Sequence, residues 1–270
     1  MAMTGSTSTT STQPKDTRLI VKDLGKTYVT NGEPHEIFGG IDLVVAPHEI
    51  VSIVGPSGVG KTTLLRCLAG LLAPTVGEVR IGDRRLTEPV PEMGVVFQDY
   101  SRSLLPWMRS RENVAFPLES KGIGRAERRR IAEESLTAVG LEGAGHKYPW
   151  QMSGGMQQRV AIARALAYQS EVLLMDEPFA SVDAQTRFDL EDLVLDLRKR
   201  LGVSIVLVTH DIDEAVYLAD RVVVLSGKPA SVVDLVEVDL GKDRDQIATK
   251  AVPAFAEART RVLKQIRREA

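Results

Sequence analysis

The sequence predicts an α/β fold in which helices cover a mostly parallel sheet, with an antiparallel β layer and a helical insertion added to it. Apolar runs at 50–54, 172–175 and 205–208 are rich in branched residues and end at glycine or polar residues, as buried parallel strands do. A glycine-rich loop and a helical pattern follow the first run. A mostly helical stretch, from about 99 to 151, separates the first run from the second.

Composition limits the classes of function. The 270 residues suffice for one large α/β domain, and 34 basic against 36 acidic residues do not indicate a general nucleic-acid surface. The basic run at 125–130 is interpreted as a solvated helix face. The single cysteine, Cys67, fits a reducing compartment and is expected to be a packed small hydrophobe. Because no apolar run reaches ~20 residues, we expect a soluble chain or one attached to a membrane through a partner.

We divide the chain into five parts. Residues 1–17, rich in Ser and Thr, predict a disordered tail. Residues 18–98 contain the antiparallel layer, with runs at 19–21, 41–45 and 79–81, and the first part of the core. The helical region covers 99–159, the second part of the core 160–240, including a strand at 221–225, and a surface helical extension 241–270. Tyr28, in the β layer, is either an adenine-stacking ring or an ordinary strand aromatic.

The glycine-rich loop has the pattern G-x-x-x-x-G-K-[ST], which predicts a phosphate-binding loop between a strand and a helix. Its glycines let backbone N–H groups face an anion, and the helix N-terminus adds positive potential. Lysine can reach terminal phosphates, and the threonine hydroxyl can join the coordination of Mg²⁺. The residues are Gly55, Pro56, Ser57, Gly58, Val59, Gly60, Lys61, Thr62 and Thr63.

Gln98 ends a predicted strand at 93–98, where an amide could touch a metal-bound water, although a solvated loop glutamine is the commoner case. Beyond it, Leu104, Leu105, Pro106 and Trp107 place apolar groups in a predicted loop. Such a cluster marks either a partner surface or a local core plug.

A second anion site is predicted where a helix begins near residue 153. Ser153 suits an N-cap, and Gly154 and Gly155 expose backbone N–H groups there. A simple cap would explain the serine, but not two glycines followed by Gln157, Gln158 and Arg159.

Polar residues also end the later strands. Asp176 can hold Mg²⁺, and Glu177 can polarise an attacking water. Asp183 lies in a short turn beyond them, and His210 ends the next strand, where it could contact a γ-phosphate. Because carboxyl ends of parallel strands share one edge, these side chains are expected to gather there.

The order of these motifs resembles the ATP-binding cassette (ABC) ATPases, over about residues 18–240. The resemblance implies a P-loop NTPase (RecA-like) core, bound ATP and Mg²⁺, and roles for the matching residues. Glu177 would be the catalytic base, Gln98 the sensor that also reaches the metal, and His210 the γ-phosphate switch. Tyr28 would stack on adenine, and Asp183 would contact a second copy.

A narrower resemblance concerns the importers of nitrate, sulfonates, taurine and bicarbonate. It is carried by the residues at 96–99, 105–107, 176–187 and 210–221. Met152 and Val182 stand where leucine is usual, and an apolar exchange of this kind is tolerated.

The resemblance implies a homodimer that closes two ATP molecules between the phosphate loop of one copy and the Ser153 segment of the other. A separate permease would hold it on the cytoplasmic face of the membrane, and a solute-binding protein would act indirectly. A soluble cassette protein acting on nucleic acid or ribosomes typically has a long coiled coil or two cassettes, which this chain lacks. An exporter ATPase is the third alternative. These motifs do not identify the transported solute.

Overall fold

Two β-sheets form the framework of the protein, in a computed structural model that describes residues 17–99 and 103–268. The larger sheet has six strands in the order β10-β9-β3-β8-β7-β6. Strands β9, β3, β8, β7 and β6 run parallel, and β10 pairs antiparallel with β9. The strands are β3 (Ile50–Val54), β6 (Met93–Val96), β7 (Val172–Asp176), β8 (Ser204–Val208), β9 (Arg221–Ser226) and β10 (Ser231–Glu237).

The centre of this sheet is buried on both faces, since every residue of β3, β7 and β8 is buried. This confirms the interpretation of the three apolar runs as core strands. Their carboxyl ends lie at one edge and lead into Gly55, Glu177 and Thr209.

The second sheet is the predicted antiparallel layer, in the order β2-β1-β4-β5. Its strands are β1 (Leu19–Thr30), β2 (Glu33–Val45), β4 (Val76–Ile81) and β5 (Arg84–Arg85). The predicted runs at 19–21 and 41–45 proved to be parts of much longer strands. The outer half of the β1–β2 hairpin, where Thr30 pairs with Glu33, is largely exposed, so it lacks the apolar pattern of a core strand.

Eight helices have both ends within the described part of the chain. They are α1 (Lys61–Leu68), α2 (Ser110–Ala115), α3 (Arg125–Ala138), α4 (Gly154–Ala167), α5 (Ala184–Leu201), α6 (Ile212–Leu218), α7 (Ala248–Ala251) and α8 (Pro253–Arg268), with 3-10 turns at Phe116–Lys121, Ala144–His146 and Pro149–Gln151.

Helices α2, α3 and α4 pack together between β6 and β7 in the sequence, through buried Val114, Leu136 and Val160. The predicted helical insertion is therefore present. Leu104 is buried in it, whereas Trp107 is 70% exposed, so the apolar loop divides into a core residue and a surface residue. None of the helices in the described ranges is long and apolar enough to cross a membrane.

The C-terminal part departs from the prediction of a surface helix. Helix α8 packs against α6, β9 and β10, and it buries Phe255 and Val262 completely or nearly so. Strand β10 was not predicted, because all but one of its residues are exposed or only half buried at the sheet edge. The surface interpretation was therefore wrong for one face of α8.

Two smaller predictions are confirmed, and one lies outside the described residues. Cys67 packs at 2% exposure in the core, where burial raises the pKa of its thiol to about 11. The basic run is solvated: Arg130 pairs with Glu127 and Glu134 on the exposed face of α3. The predicted tail at 1–17 falls almost entirely outside the described residues.

Candidate functional site

The phosphate loop joins the carboxyl end of β3 to the first turn of α1. Gly60 is the N-cap of the helix, with φ of 105°, a conformation that suits glycine. Its carbonyl accepts the Leu64 N–H at 2.8 Å, while the N–H of Val59 donates to the Pro56 carbonyl at 3.3 Å. No side chain caps this helix end. The helix N-terminus therefore keeps backbone donors and positive potential available to an anion.

Lys61 lies inside this loop. Its Nζ donates to the carbonyls of Gly55 at 2.9 Å and Pro56 at 3.1 Å, and the residue is only 6% exposed. Burial lowers the pKa of this ammonium, while the carboxylates of Glu177 and Asp176 act in the opposite direction. The cation is thus held in the loop with two acidic groups beside it, in a position to pair with a phosphate.

Asp176 and Thr62 form the oxygen-donor part of the site. The Thr62 hydroxyl donates to Oδ1 of Asp176 at 3.1 Å. Burial raises the pKa of Asp176, and the hydrogen bond from Thr62 partly offsets this. A hydroxyl and one carboxylate suit Mg²⁺, which keeps several waters and uses substrate phosphates as further ligands. Accordingly, the described residues contain no cluster of three or more His, Cys, Asp or Glu that could hold a metal by themselves.

Three side chains from different strand ends meet at Glu177. Its Oε2 accepts a hydrogen bond from Gln98 Nε2 at 3.0 Å and lies 3.1 Å from Nδ1 of His210. Glu177 itself has φ of 43°, in the left-handed region. Its N–H donates to the Val208 carbonyl at 2.8 Å, which ties its backbone to the end of β8. The carboxylate is therefore fixed from two sides directly beside Asp176.

The Ser153 segment forms the predicted helix start. The hydroxyl of Ser153 accepts the Met156 N–H at 3.3 Å, which confirms the cap. Gly155 packs closely on α5, since a Cβ there would lie 2.4 Å from Cγ2 of Thr186. Gln157 Nε2 donates to the Met152 carbonyl at 3.2 Å.

The structure does not join all predicted site residues. Among the described residues, no hydrogen bond links the phosphate loop with 153–157. Asp183 caps α5 by accepting the Thr186 N–H at 3.0 Å, a bond that lowers the pKa of its carboxyl. Tyr28 is 39% exposed on β1, with Lys26 Nζ 5.1 Å from its ring centre.

One contact near the site escaped the sequence reasoning. Arg187 Nη1 donates to Oδ2 of Asp211 at 3.0 Å, which connects the first turn of α5 with the residue after His210. The sequence did place both residues near predicted site residues, since Arg187 follows Asp183 by one helical turn and Asp211 adjoins His210. Nothing in either motif alone shows that the two turns touch.

Comparisons with known proteins agree with this geometry. The sequence profile described as ABC transporter matches residues 38–180. An uncharacterized ABC transporter ATP-binding protein of Methanocaldococcus jannaschii is 45% identical over 252 residues, which cover 93% of this chain and 92% of that protein. The taurine import ATP-binding protein TauB of Pseudomonas putida is 43% identical, covering 87% of this chain and 90% of TauB. The nitrate import ATP-binding protein NrtD of Synechococcus elongatus is 40% identical, covering 89% and 88%.

Solved structures show the same architecture. The dimeric structure of a post-hydrolysis state of the ATP-binding cassette MJ0796, bound to ADP and Pi, is similar with a TM-score of 0.72. It is 34% identical, and the similarity covers 82% of this chain and 98% of that one. The fold described above is therefore that of an ATP-binding cassette, a P-loop NTPase. The chain therefore belongs to the ABC transporter family, as an ATP-binding subunit that hydrolyses ATP.

Proposed function

We propose that the chain powers an importer of a small solute, most simply an oxyanion such as nitrate, a sulfonate, taurine or bicarbonate. The proposed hydrolysis of ATP rests on one observation: the Glu177 carboxylate contacts Gln98 and His210, beside the Asp176–Thr62 pair. The similarity to TauB and NrtD, which are taurine and nitrate import ATP-binding proteins, supports both the inward direction of transport and the class of solute.

The phosphate loop grips the triphosphate of ATP. Backbone N–H groups at the end of the loop and in the first turn of α1 face the phosphates, and Lys61 pairs with the terminal ones from its position in the loop. Tyr28 stacks on the adenine, for which its half-exposed ring is available. Thr62 and Asp176 would hold Mg²⁺, assisted by Gln98, and the ion would supply positive charge to the phosphates.

Glu177 acts as the base. Its carboxylate accepts the proton of a water that attacks the γ-phosphorus, so that the P–O bond to ADP breaks and phosphate leaves. Gln98 and His210 each contact Oε2 of Glu177, which restricts the carboxylate to one orientation. Because His210 remains about half exposed, it can also donate to the γ-phosphate.

Two copies complete the site. The Ser153 segment makes no hydrogen bond to the loop of its own chain among the described residues, so its helix N-terminus serves the ATP of the partner. The residues of this segment that would contact the partner's ATP are Ser153, Gly154, Gly155 and Gln157. Asp183 contacts the partner from the adjacent turn. ATP binding closes the dimer, and loss of the γ-phosphate loosens it.

A separate permease carries the solute and receives this motion at the membrane, on its cytoplasmic face. The surface that fits it lies near Gln98 and in the helical region, where Trp107 and Phe116 are 70% and 48% exposed. A cavity of about 240 Å³ beside Phe116 is lined by Met108, Arg111 and Arg129. Exposed aromatic rings next to a cavity are typical of a docking surface. A solute-binding protein would deliver the solute to the permease.

Glu177→Gln tests the catalytic assignment. The amide keeps the shape of the side chain but cannot take a proton, so ATP turnover by the purified chain should fall by at least about 100-fold while ATP binding remains. The exposed Glu142→Gln serves as the control and should retain wild-type turnover. Activity near wild type in Glu177→Gln would remove Glu177 from the role of base.

Uptake tests the transport assignment. The permease that co-purifies with the chain is placed in vesicles together with a solute-binding protein, and labelled nitrate, taurine and bicarbonate are offered in turn. ATP-dependent accumulation of one of them inside the vesicles is expected. Movement of solute only from the face that carries the ATPase to the opposite face would identify an exporter instead.

A further inference from the structure

A group of three C-terminal residues lies against the two helices that flank the catalytic edge. We call Arg244, Gln246 and Lys250 the C-terminal clamp. Arg244 Nη1 donates to the carbonyls of Tyr217 at 2.6 Å and Ala219 at 3.0 Å, at the end of α6. Its side chain is only 2% exposed. A guanidinium on these orphan carbonyls caps the helix and stabilises its C-terminus.

Gln246 connects the clamp to α5. Its Nε2 donates to Oε2 of Glu191 at 2.9 Å and to Oδ1 of Asp192 at 3.0 Å. The hydroxyl of Tyr217, on α6, donates to the same Asp192 oxygen at 2.7 Å. One carboxylate thus receives a donor from α6 and another from the clamp.

Lys250 closes the group from the other side. Its Nζ lies 3.7 Å from Oε2 of Glu191 and over the rings of Phe188 and Tyr217, at 4.6 and 4.8 Å from their centres. Since Phe188 is on α5 and Tyr217 on α6, a single cation contacts both helices. Cation–π contacts that are partly desolvated favour this arrangement.

Helix α6 leads directly to the catalytic edge. It has seven residues and a length of about 10 Å, and it begins after His210 and Asp211. Asp211 caps it, since Oδ1 accepts the N–H groups of Asp213 and Glu214. Its Oδ2 binds Arg187 of α5. A short helix that is capped at both ends moves as one body, so a shift at its C-terminus is passed to His210.

The clamp also compensates buried negative charge. Glu191 and Glu214 are 1% and 4% exposed, and burial raises the pKa of both carboxyl groups. The groups that face Glu191 are Gln246 and Lys250 from the clamp, Arg187 from its own helix and Asp211. Removing the clamp donors would leave Glu191 with less compensation between α5 and α6, and the two helices would separate to admit water.

We propose that the C-terminal clamp is a positioning element for hydrolysis, which holds α6 so that His210 stays 3.1 Å from the carboxylate of Glu177. This inference rests on the roles proposed for Glu177 and His210. It assigns a task to residues 244–250 that the ATP-binding motifs leave unexplained. Loosening the clamp slows turnover with little effect on the affinity for ATP, because most of the proposed phosphate contacts come from the loop at 55–63 and the clamp bonds only to α5 and α6 and to residues beside them.

Gln246→Glu tests this, with Gln265→Glu as a matched control. Both replace an amide that donates to a carboxylate: Gln265 Nε2 donates to Oδ2 of Asp234 on β10, at 3.2 Å. We expect Gln246→Glu to lower kcat about tenfold with KM for ATP changed less than twofold. As pH falls and the new carboxyl is protonated, kcat relative to wild type should recover. Gln265→Glu should keep wild-type kcat.

Wild-type kcat in Gln246→Glu, or an equal loss in both variants, overturns the proposal. Thermal unfolding checks that each variant is folded, and if Gln246→Glu is not, Gln246→Ala decides by the same kcat criterion. His210→Ala separates this inference from the site itself. If His210→Ala is inactive while the clamp variant has normal turnover, only the clamp fails. If His210→Ala turns over ATP like wild type, the proposed role of His210 fails.

Discussion

Gly55 and Gly60 of the phosphate loop have no space for a side chain. A Cβ on Gly55 would lie 2.4 Å from the carbonyl oxygen of Leu225, on the neighbouring strand β9. A Cβ on Gly60 would lie 2.6 Å from Cγ2 of Ile37, and its φ of 105° is strained for other residues. A Cβ at position 55 would clash with a backbone atom, and backbone atoms move less easily than the atoms of a side chain. The loop can therefore approach β9 closely only while position 55 remains glycine.

Gly55→Ala is predicted to lower the free energy of unfolding by about 2 kcal/mol or more and to weaken ATP binding, because the loop must move away from β9. Urea unfolding and titration with ATP measure the two effects. Gly124→Ala is the control, since a Cβ there meets nothing within 4 Å and its φ is −63°. Equal stability of the two variants would show that the contact with Leu225 is unimportant.

At this scale, sequence reasoning succeeded where one residue type in a local pattern determines the geometry. The N-cap at Ser153 and the position of Lys61 in its loop were predictable because both depend on neighbours in sequence. The convergence of Gln98 and His210 on one oxygen of Glu177 was not. This convergence depends on Gln98 and His210, which lie 79 and 33 residues from Glu177 in the sequence, and on a left-handed backbone at Glu177.

Helix α8 shows why an element can be predicted while its environment is not. Its charged residues indicate a surface helix, and one face is indeed solvated, with Arg261 bound to Asp234. The other face buries Phe255 and Val262 where α8 packs against α6, β9 and β10, and β10 has no clear apolar alternation. Since the partner strand was not predicted, neither was the burial. The helix contributes to the core rather than only covering it.

Phe255→Ala is accordingly predicted to destabilise the protein by about 3 kcal/mol, because it removes a large ring from a packed site that can collapse only in part. Ile247→Ala, at a residue that is 83% exposed, should change stability by less than about 0.5 kcal/mol. Denaturant unfolding of both variants makes the comparison. A loss below about 1 kcal/mol for Phe255→Ala would mean that α8 is not part of the cooperative core.

On the scale of the whole molecule, the two helix starts that we propose as anion sites belong to different parts of the fold. The phosphate loop precedes α1, on the sheet, and the Ser153 segment precedes α4, in the helical region. The sequence motifs predicted where both helices begin, and the parallel order of β3, β8 and β7 explains why Lys61, Asp176 and Glu177 gather at one edge. Which copy's Ser153 segment faces a given loop is a property of an assembly, and local patterns do not contain it.

We propose that ATP joins two copies, between the phosphate loop of one and the Ser153 segment of the other. The most direct test is the molar mass of Glu177→Gln in solution, measured by light scattering with ATP and with ADP. A dimer with ATP and a monomer with ADP are predicted. Adding Ser153→Glu should abolish the dimer while the monomer still binds ATP, since an acidic residue suits a helix start but repels a phosphate. An ATP dimer that persists with Ser153→Glu, or a monomer of Glu177→Gln under both nucleotides, would contradict the claim.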